Sequence, residues 1–186
     1  VIPFEEIPRN VKNATVVIED SNFYNHHGFD VLSFFRAFFV NILSGDFRQG
    51  GSTITQQLVK NTLLTSEKTI SRKLKELVLA LKVERVYTKD QILSLYLNEI
   101  PYGSSAYGIA AAAEVYFGKK VYDLSLAESA YLSALPNAPT YYSPYGSHRD
   151  KLEERENLIL RRLLDKKFIT KEEYESAKKE EVKFIA

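Results

Sequence analysis

The 186 residues contain no cysteine, no methionine and no tryptophan. Without cysteine there are no disulfides, no thiol nucleophile and none of the strong zinc-binding spacings. Only three histidines occur, which leaves little material for an imidazole metal centre. No stretch approaches the ~20 apolar residues that cross a bilayer, and no signal-peptide pattern opens the chain. A formal net charge of +1 supplies no global attraction to nucleic acid, so none is expected as a partner. The chain starts at Val1 and reads as an excised piece of a longer one.

What is present is ordinary in bulk. Hydrophobic residues make up 45% and charged residues 26%, the balance of a globular domain able to build a core. Charge is unevenly spread. Residues 1–30 carry five acids against Arg9 and Lys12. Residues 60–89 carry Lys60, Lys68, Arg72, Lys73, Lys75, Lys82, Arg85 and Lys89 against three acids. The two stretches suit opposite walls of a cleft, or a lysine-rich helix simply solvated.

The pattern is helical nearly throughout, and predicts an all-α domain of about eight or nine helices. Ser52, Ser66, Thr88, Ser125 and Thr170 each precede a helical run, where a hydroxyl satisfies an orphan backbone N–H. Glu128 and Glu173 stand three residues after Ser125 and Thr170, a capping-box spacing. Residues 148–167 form a further amphipathic run, and 13–18 read equally as a strand or a helix start. Glycines and prolines punctuate at 45, 50–51, 101–103 and 118. Three prolines within 135–146 predict an extended loop. In "VLSFFRAFFVNIL" (31–43) the apolar residues cover about half of a helix circumference. Such a helix is either a core element or one lying in a membrane interface.

Three segments carry groups able to do chemistry. In "VIEDSNFYNHHG", Glu19 and Asp20 are adjacent carboxylates beside aromatics and histidines. Apolar surroundings suit a carboxylate to acid–base work, while a cap or salt-bridged turn is the structural alternative. Asp20 with His26 and His27 matches no strong metal signature. In "RQGGSTITQQLVKN", two glycines allow close backbone approach. Ser52, Thr53, Thr55, Gln56, Gln57, Lys60 and Asn61 follow within ten residues, and Thr53, Gln57 and Lys60 share a helical face suited to sugar hydroxyls or phosphate oxygens. It is not a nucleotide P-loop, because the glycine spacing is wrong. From Ser66 onward Ile70, Leu74, Leu77 and Leu81 form a stripe expected to pack inward. Off that stripe, Arg72 and Lys73 lie within reach of Glu76.

Taken in order, "EDSNFYNHHG", "GGSTITQQLVKN", "RKLKE", "YLNEIPYGSSAYGIAAAAEVYFGK" and "LSLAESAYLSALPNAPTYYSP" resemble the peptidoglycan glycosyltransferases of family 51. These are the glycan-polymerising domains of class A penicillin-binding proteins and of monofunctional transglycosylases. The resemblance implies a lysozyme-like helical head and a smaller hydrophobic, membrane-facing lobe within about 28–65, the whole of 1–186 forming one glycosyltransferase domain. It shifts the 31–43 helix toward bilayer contact.

The resemblance further implies lipid II as acceptor and the growing glycan on undecaprenyl pyrophosphate as donor. Glu19 would be the general base and Glu76 would act on the donor side. Lys60, Arg72 and Lys73 would meet the pyrophosphate. Asp20, Phe23, His26, Ser52, Thr53, Gln57 and Asn61 would shape the site. It implies no obligatory cofactor, though a divalent Mg or Mn ion near Glu76 is compatible with it. It also implies inhibitors of the moenomycin type and a place on the outer, periplasmic face of the bacterial cytoplasmic membrane. The anchor would be a transmembrane segment outside this chain. Two rivals remain: a lysozyme-type glycan hydrolase or lytic transglycosylase, and a helical membrane-surface module without activity.

Overall fold

The computed structural model describes residues 1–30, 51–64 and 69–185. The 31–43 helix, Gly50 and Ser66 lie outside them. Among the described residues stand eight α-helices and one two-stranded ribbon, so the all-α expectation is met. The helices are α1 (Arg9–Glu19), α2 (Ile54–Leu63), α3 (Ile70–Val86), α4 (Lys89–Glu99), α5 (Ile109–Phe117), α6 (Leu126–Ala134), α7 (Arg149–Asp165) and α8 (Lys171–Lys179). None of them is long and apolar enough to cross a membrane.

The helix starts follow local chemistry. Capping boxes close at Thr53 with Gln56, Ser125 with Glu128 and Thr170 with Glu173. Thr88 and Gln91 exchange the same reciprocal bonds at 2.9 and 3.3 Å. The cap of α2 is Thr53, one residue beyond Ser52, and that of α3 is Thr69, whose side chain accepts from Arg72 N–H. The ambiguous stretch 13–18 is helical. Val11, Ala14, Thr15 and Val17 bury one face of α1, and that packing overrides the strand preference of a β-branched run.

The chain divides into two compact units, Val1–Ser21 with Leu97–Ala186, and Asn22–Tyr96. In the first, α1 packs on α6 and α7, and α7 on α8. Leu132, Leu152, Ile159, Leu160 and Leu163 are fully buried there. Phe184 sits among Tyr116, Phe117 and Tyr131, and the Ile185 N–H bonds to the Tyr116 carbonyl at 3.0 Å, so the tail packs against this unit. The ribbon pairs β1 (Pro101–Gly103) with β2 (Ala106–Tyr107) through Ser104 and Ser105, both at positive φ. Sequence punctuation marked the spot without the hairpin, because Ser-Ser lacks the Asn-Gly signal of such turns. Residues 135–146 are a chain of tight turns, closed by Ala138 N–H to Leu135 O and Tyr142 N–H to Ala138 O, rather than an extended loop.

In the second unit α2 packs on α3, and here the apolar stripe is corrected. Ile70, Leu74 and Leu81 are exposed by 84, 60 and 40%, whereas Glu76 and Ala80 are buried at 1 and 0%. The reason is close approach. Gly28, at φ +84°, brings its backbone so near that a Cβ there would lie 3.2 Å from the Ala80 carbonyl. That approach leaves little room for a side chain at position 28, and Ala80 and Glu76 form the inward face of α3.

Burial raises the Glu156 carboxyl of α7 to about 7, with Glu153 and Glu180 adding to the effect and Lys178 opposing it. The folded state therefore holds a proton that the unfolded chain loses above its usual 4.5. Stability falls as pH rises from about 4.5 to about 7, and the penalty is complete above that window. Glu156→Gln is expected to raise the melting temperature at pH 8 by an amount worth on the order of 1 kcal/mol, with no gain near pH 4. Melts at both values check it.

Candidate active site

Glu19 is the last residue of α1 and Asp20 its C-cap; both side chains are buried. This is the negative end of the helix, and no basic residue lies in its last turn. Two carboxylates there oppose the macrodipole. The N-cap alternative fails, since acids stabilise helix N-termini, whereas the salt-bridged alternative is met at Glu19, which pairs with Arg155. Compensation comes from α7. The Arg155 guanidinium donates to Glu19 Oε1 at 2.9 Å, and Arg162 donates to the Val17 carbonyl at 3.0 Å.

Tyr102 of β1 is fully buried in the same unit. Burial, and secondarily the Glu19 charge, push its phenol far above the usual range, so it stays neutral. Its hydroxyl makes no hydrogen bond among the described residues. Removing an unsatisfied buried hydroxyl relieves a desolvation cost. Tyr102→Phe is expected to leave stability unchanged or raise it by up to about 1 kcal/mol, read from denaturant unfolding. A loss larger than that would contradict the unsatisfied state.

The second unit assembles most of the other candidates. Lys73 Nζ donates to Ser52 Oγ at 2.8 Å and pairs closely with Glu76 Oε1. Arg72 Nη1 lies 3.9 Å from Glu76 Oε2. The Glu76 side chain is 1% exposed, and Glu76 Oε2 and Arg72 Nε are buried without a hydrogen-bond partner among the described residues. Thr53 Oγ1 donates to the Gly28 carbonyl at 2.8 Å, tying the glycine turn to the start of α2. Gln57 Oε1 accepts from Tyr96 OH at 3.1 Å. Phe23 is fully buried beneath the Lys89 ammonium, 4.4 Å from its ring centre, with His26 edge-on at 6.2 Å. Lys60 and Asn61 are exposed on α2, outside the Ser52–Lys73–Glu76 group.

A metal centre finds little support here. His26 is buried and His27 exposed, so the neighbours do not share an environment. No cluster of three potential ligands exists among the described residues. Glu76 offers one carboxylate flanked by two cations, a donor set that does not fit a protein-held Mg or Mn ion.

The residues that sequence reading missed are Arg155, Tyr102 and the buried Glu84. Glu84 accepts from Thr55 and Lys89 and braces α2 against α3. A signal for Arg155 existed: it stands three residues after Leu152 and four before Ile159, on the buried stripe of α7.

A family model described as transglycosylase matches residues 1–164. The chain is 51% identical over 176 residues to a penicillin-binding protein 1A of Aquifex aeolicus, covering 95% of this chain and 24% of that protein. It is 45% identical over 181 residues to the Escherichia coli protein of the same name, covering 97% of this chain and 21% of that protein. It is also similar to the crystal structure of penicillin-binding protein 1A from Haemophilus influenzae, at 36% identity and a TM-score of 0.50. That match spans 71% of this chain and 16% of the other. The chain thus spans about a quarter of the length of the curated relatives it matches.

Proposed function

Because the chain belongs to the transglycosylase family, we propose that it is a peptidoglycan glycosyltransferase of bacterial cell-wall synthesis that polymerises lipid II. The acceptor GlcNAc 4-hydroxyl attacks C1 of the donor MurNAc, and Glu19 takes its proton. The bond from C1 to the pyrophosphate oxygen breaks, and undecaprenyl pyrophosphate leaves. Attack opposite the leaving group converts an α-linked pyrophosphate to a β-1,4 glycan. Arg72, Lys73 and Lys60 offset charge developing on the leaving group. Glu76 orients the two cations next to it. Asp20, Phe23, His26, Ser52, Thr53, Gln57 and Asn61 shape the sugar and phosphate subsites.

The observation that carries this reading is the group around Glu76. A buried carboxylate holds Lys73 and Arg72 together, while Arg72 Nε remains unpartnered among the described residues. Paired cations suit a diphosphate leaving group; a lysozyme-type hydrolase has no such group to receive. The same reading puts the protein at the outer face of the cytoplasmic membrane, with 31–43 against the bilayer and moenomycin-type inhibitors competing for the site. A divalent ion, Mg or Mn, would arrive with the pyrophosphate rather than reside in a protein cage.

The test is incubation of the full-length protein with labelled lipid II in detergent, with products read by gel. Polymer together with released undecaprenyl pyrophosphate supports the reading. Soluble muropeptides released from finished sacculi would favour a hydrolase. Lipid binding without turnover would favour a membrane module.

A further inference from the structure

We propose that Arg155 is a positioning residue for Glu19, acting through that carboxylate rather than on substrate. The inference rests on the reading of Glu19 as the base. Arg155 is fixed at three points: Nη2 to Glu19 Oε1 at 2.9 Å, Nε to the Ala134 carbonyl at 3.1 Å, and its guanidinium carbon 5.3 Å from the Tyr142 ring centre. Glu19 is 2% exposed at its side chain and Arg155 16%, so the pair is well shielded from water. A planar guanidinium held at its Nε and lying over a ring has little rotational freedom. It therefore constrains the direction of the carboxylate oxygen it grips.

The neighbouring arginine supplies a built-in control. Arg155 and Arg162 are seven apart on α7 and both reach the C-terminal turn of α1. Arg162 grips a backbone carbonyl, satisfying an orphan acceptor of the helix end. Arg155 grips the functional side chain. Both favour the helix terminus electrostatically, and Arg155 bonds to the proton acceptor itself. The two roles separate by experiment.

Steady-state lipid II polymerisation by the full-length protein is measured for wild type, Arg155→Ala, Arg155→Lys, Arg162→Ala and Glu19→Gln, each checked for folding by thermal melt. Misdirecting a reacting group by about an ångström costs about 10²-fold. Arg155→Ala is expected to lose about that much in kcat with KM held within about threefold, the split of a group acting in the transition state. Arg155→Lys recovers about tenfold of the loss. Added methylguanidinium restores Arg155→Ala and leaves Glu19→Gln inactive. Arg162→Ala melts lower and keeps its kcat.

A kcat for Arg155→Ala within about threefold of wild type overturns the inference. So does a loss confined to KM, or a folded Arg155→Ala and Arg155→Lys pair with no rescue by residue or by methylguanidinium. Polymer made by Glu19→Gln would instead remove the base on which the inference stands, a result distinct from any Arg155 outcome.

Discussion

Glu19→Gln in the full-length protein is expected to lower the rate of lipid II polymerisation by about 10²- to 10⁴-fold, the range for removing a general base. The substitution keeps the size and planarity of the side chain and a carbonyl oxygen to accept from Arg155. It removes the ability to take a proton. The fold survives at a cost, because Arg155 is left as a largely buried cation facing a neutral amide. Weakening that charge-assisted bond costs about 1–3 kcal/mol. The opposing term is relief at the α1 terminus, where a negative charge is disfavoured. A gel assay beside a thermal melt separates lost chemistry from lost protein. A folded variant that still polymerises would show that the proton goes elsewhere.

Gly108→Ala is expected to be the most damaging single methyl group added to the first unit. Gly108 precedes α5 at φ +79°, and a Cβ there would stand 2.3 Å from the backbone oxygen of Asn98 and 2.9 Å from its carbonyl carbon. Neither atom belongs to a flexible side chain, so α4 or the ribbon must move. Asn98 also holds the N-terminal segment, donating to Ile2 O at 3.0 Å and accepting from Ile2 N–H at 2.8 Å. Displacing it disturbs that clamp and the Gly108 N–H bond to Ile100 O. Backbone strain and a forced shift together put the loss at about 3–5 kcal/mol. For a domain of this size that lowers the melting temperature by roughly 6–20 °C. A drop of less than about 2 °C would show that the two backbones separate easily.

Local chemistry was legible in the sequence, and long-range choice was not. The caps at Ser125 and Thr170 follow from hydroxyl and carboxylate spacing alone, which is why the structure repeats them. The grouping of Lys73, Arg72 and Glu76 within one helical turn is equally local. The inward face of α3 was not legible. Ile70, Leu74, Leu77 and Leu81 have the right period, but the buried positions are Glu76 and Ala80, where the distant Gly28 backbone comes close. Arg155 was missed for a related reason: its partner Glu19 lies 136 positions away, and α7 is full of charge. The role of Glu19 as base came from motif resemblance, and its burial at the wrong end of a helix adds a physical reason to expect function there.

The first unit is built from two stretches of chain, 1–21 and 97–186, with the second unit continuous between them. This sets an order of events during synthesis. Residues 22–96 can close on themselves as soon as they leave the ribosome. Helix α1, made before its partners, must wait for them: Thr15 meets Ser133 across 118 positions and Glu19 meets Arg155 across 136. At ordinary elongation rates that delay is on the order of ten seconds. Through it the apolar face of α1 stays unprotected, and a chain stalled before Arg155 leaves Glu19 without that ion-pair partner. The Glu19–Arg155 pair therefore closes only after both α1 and α7 have been translated.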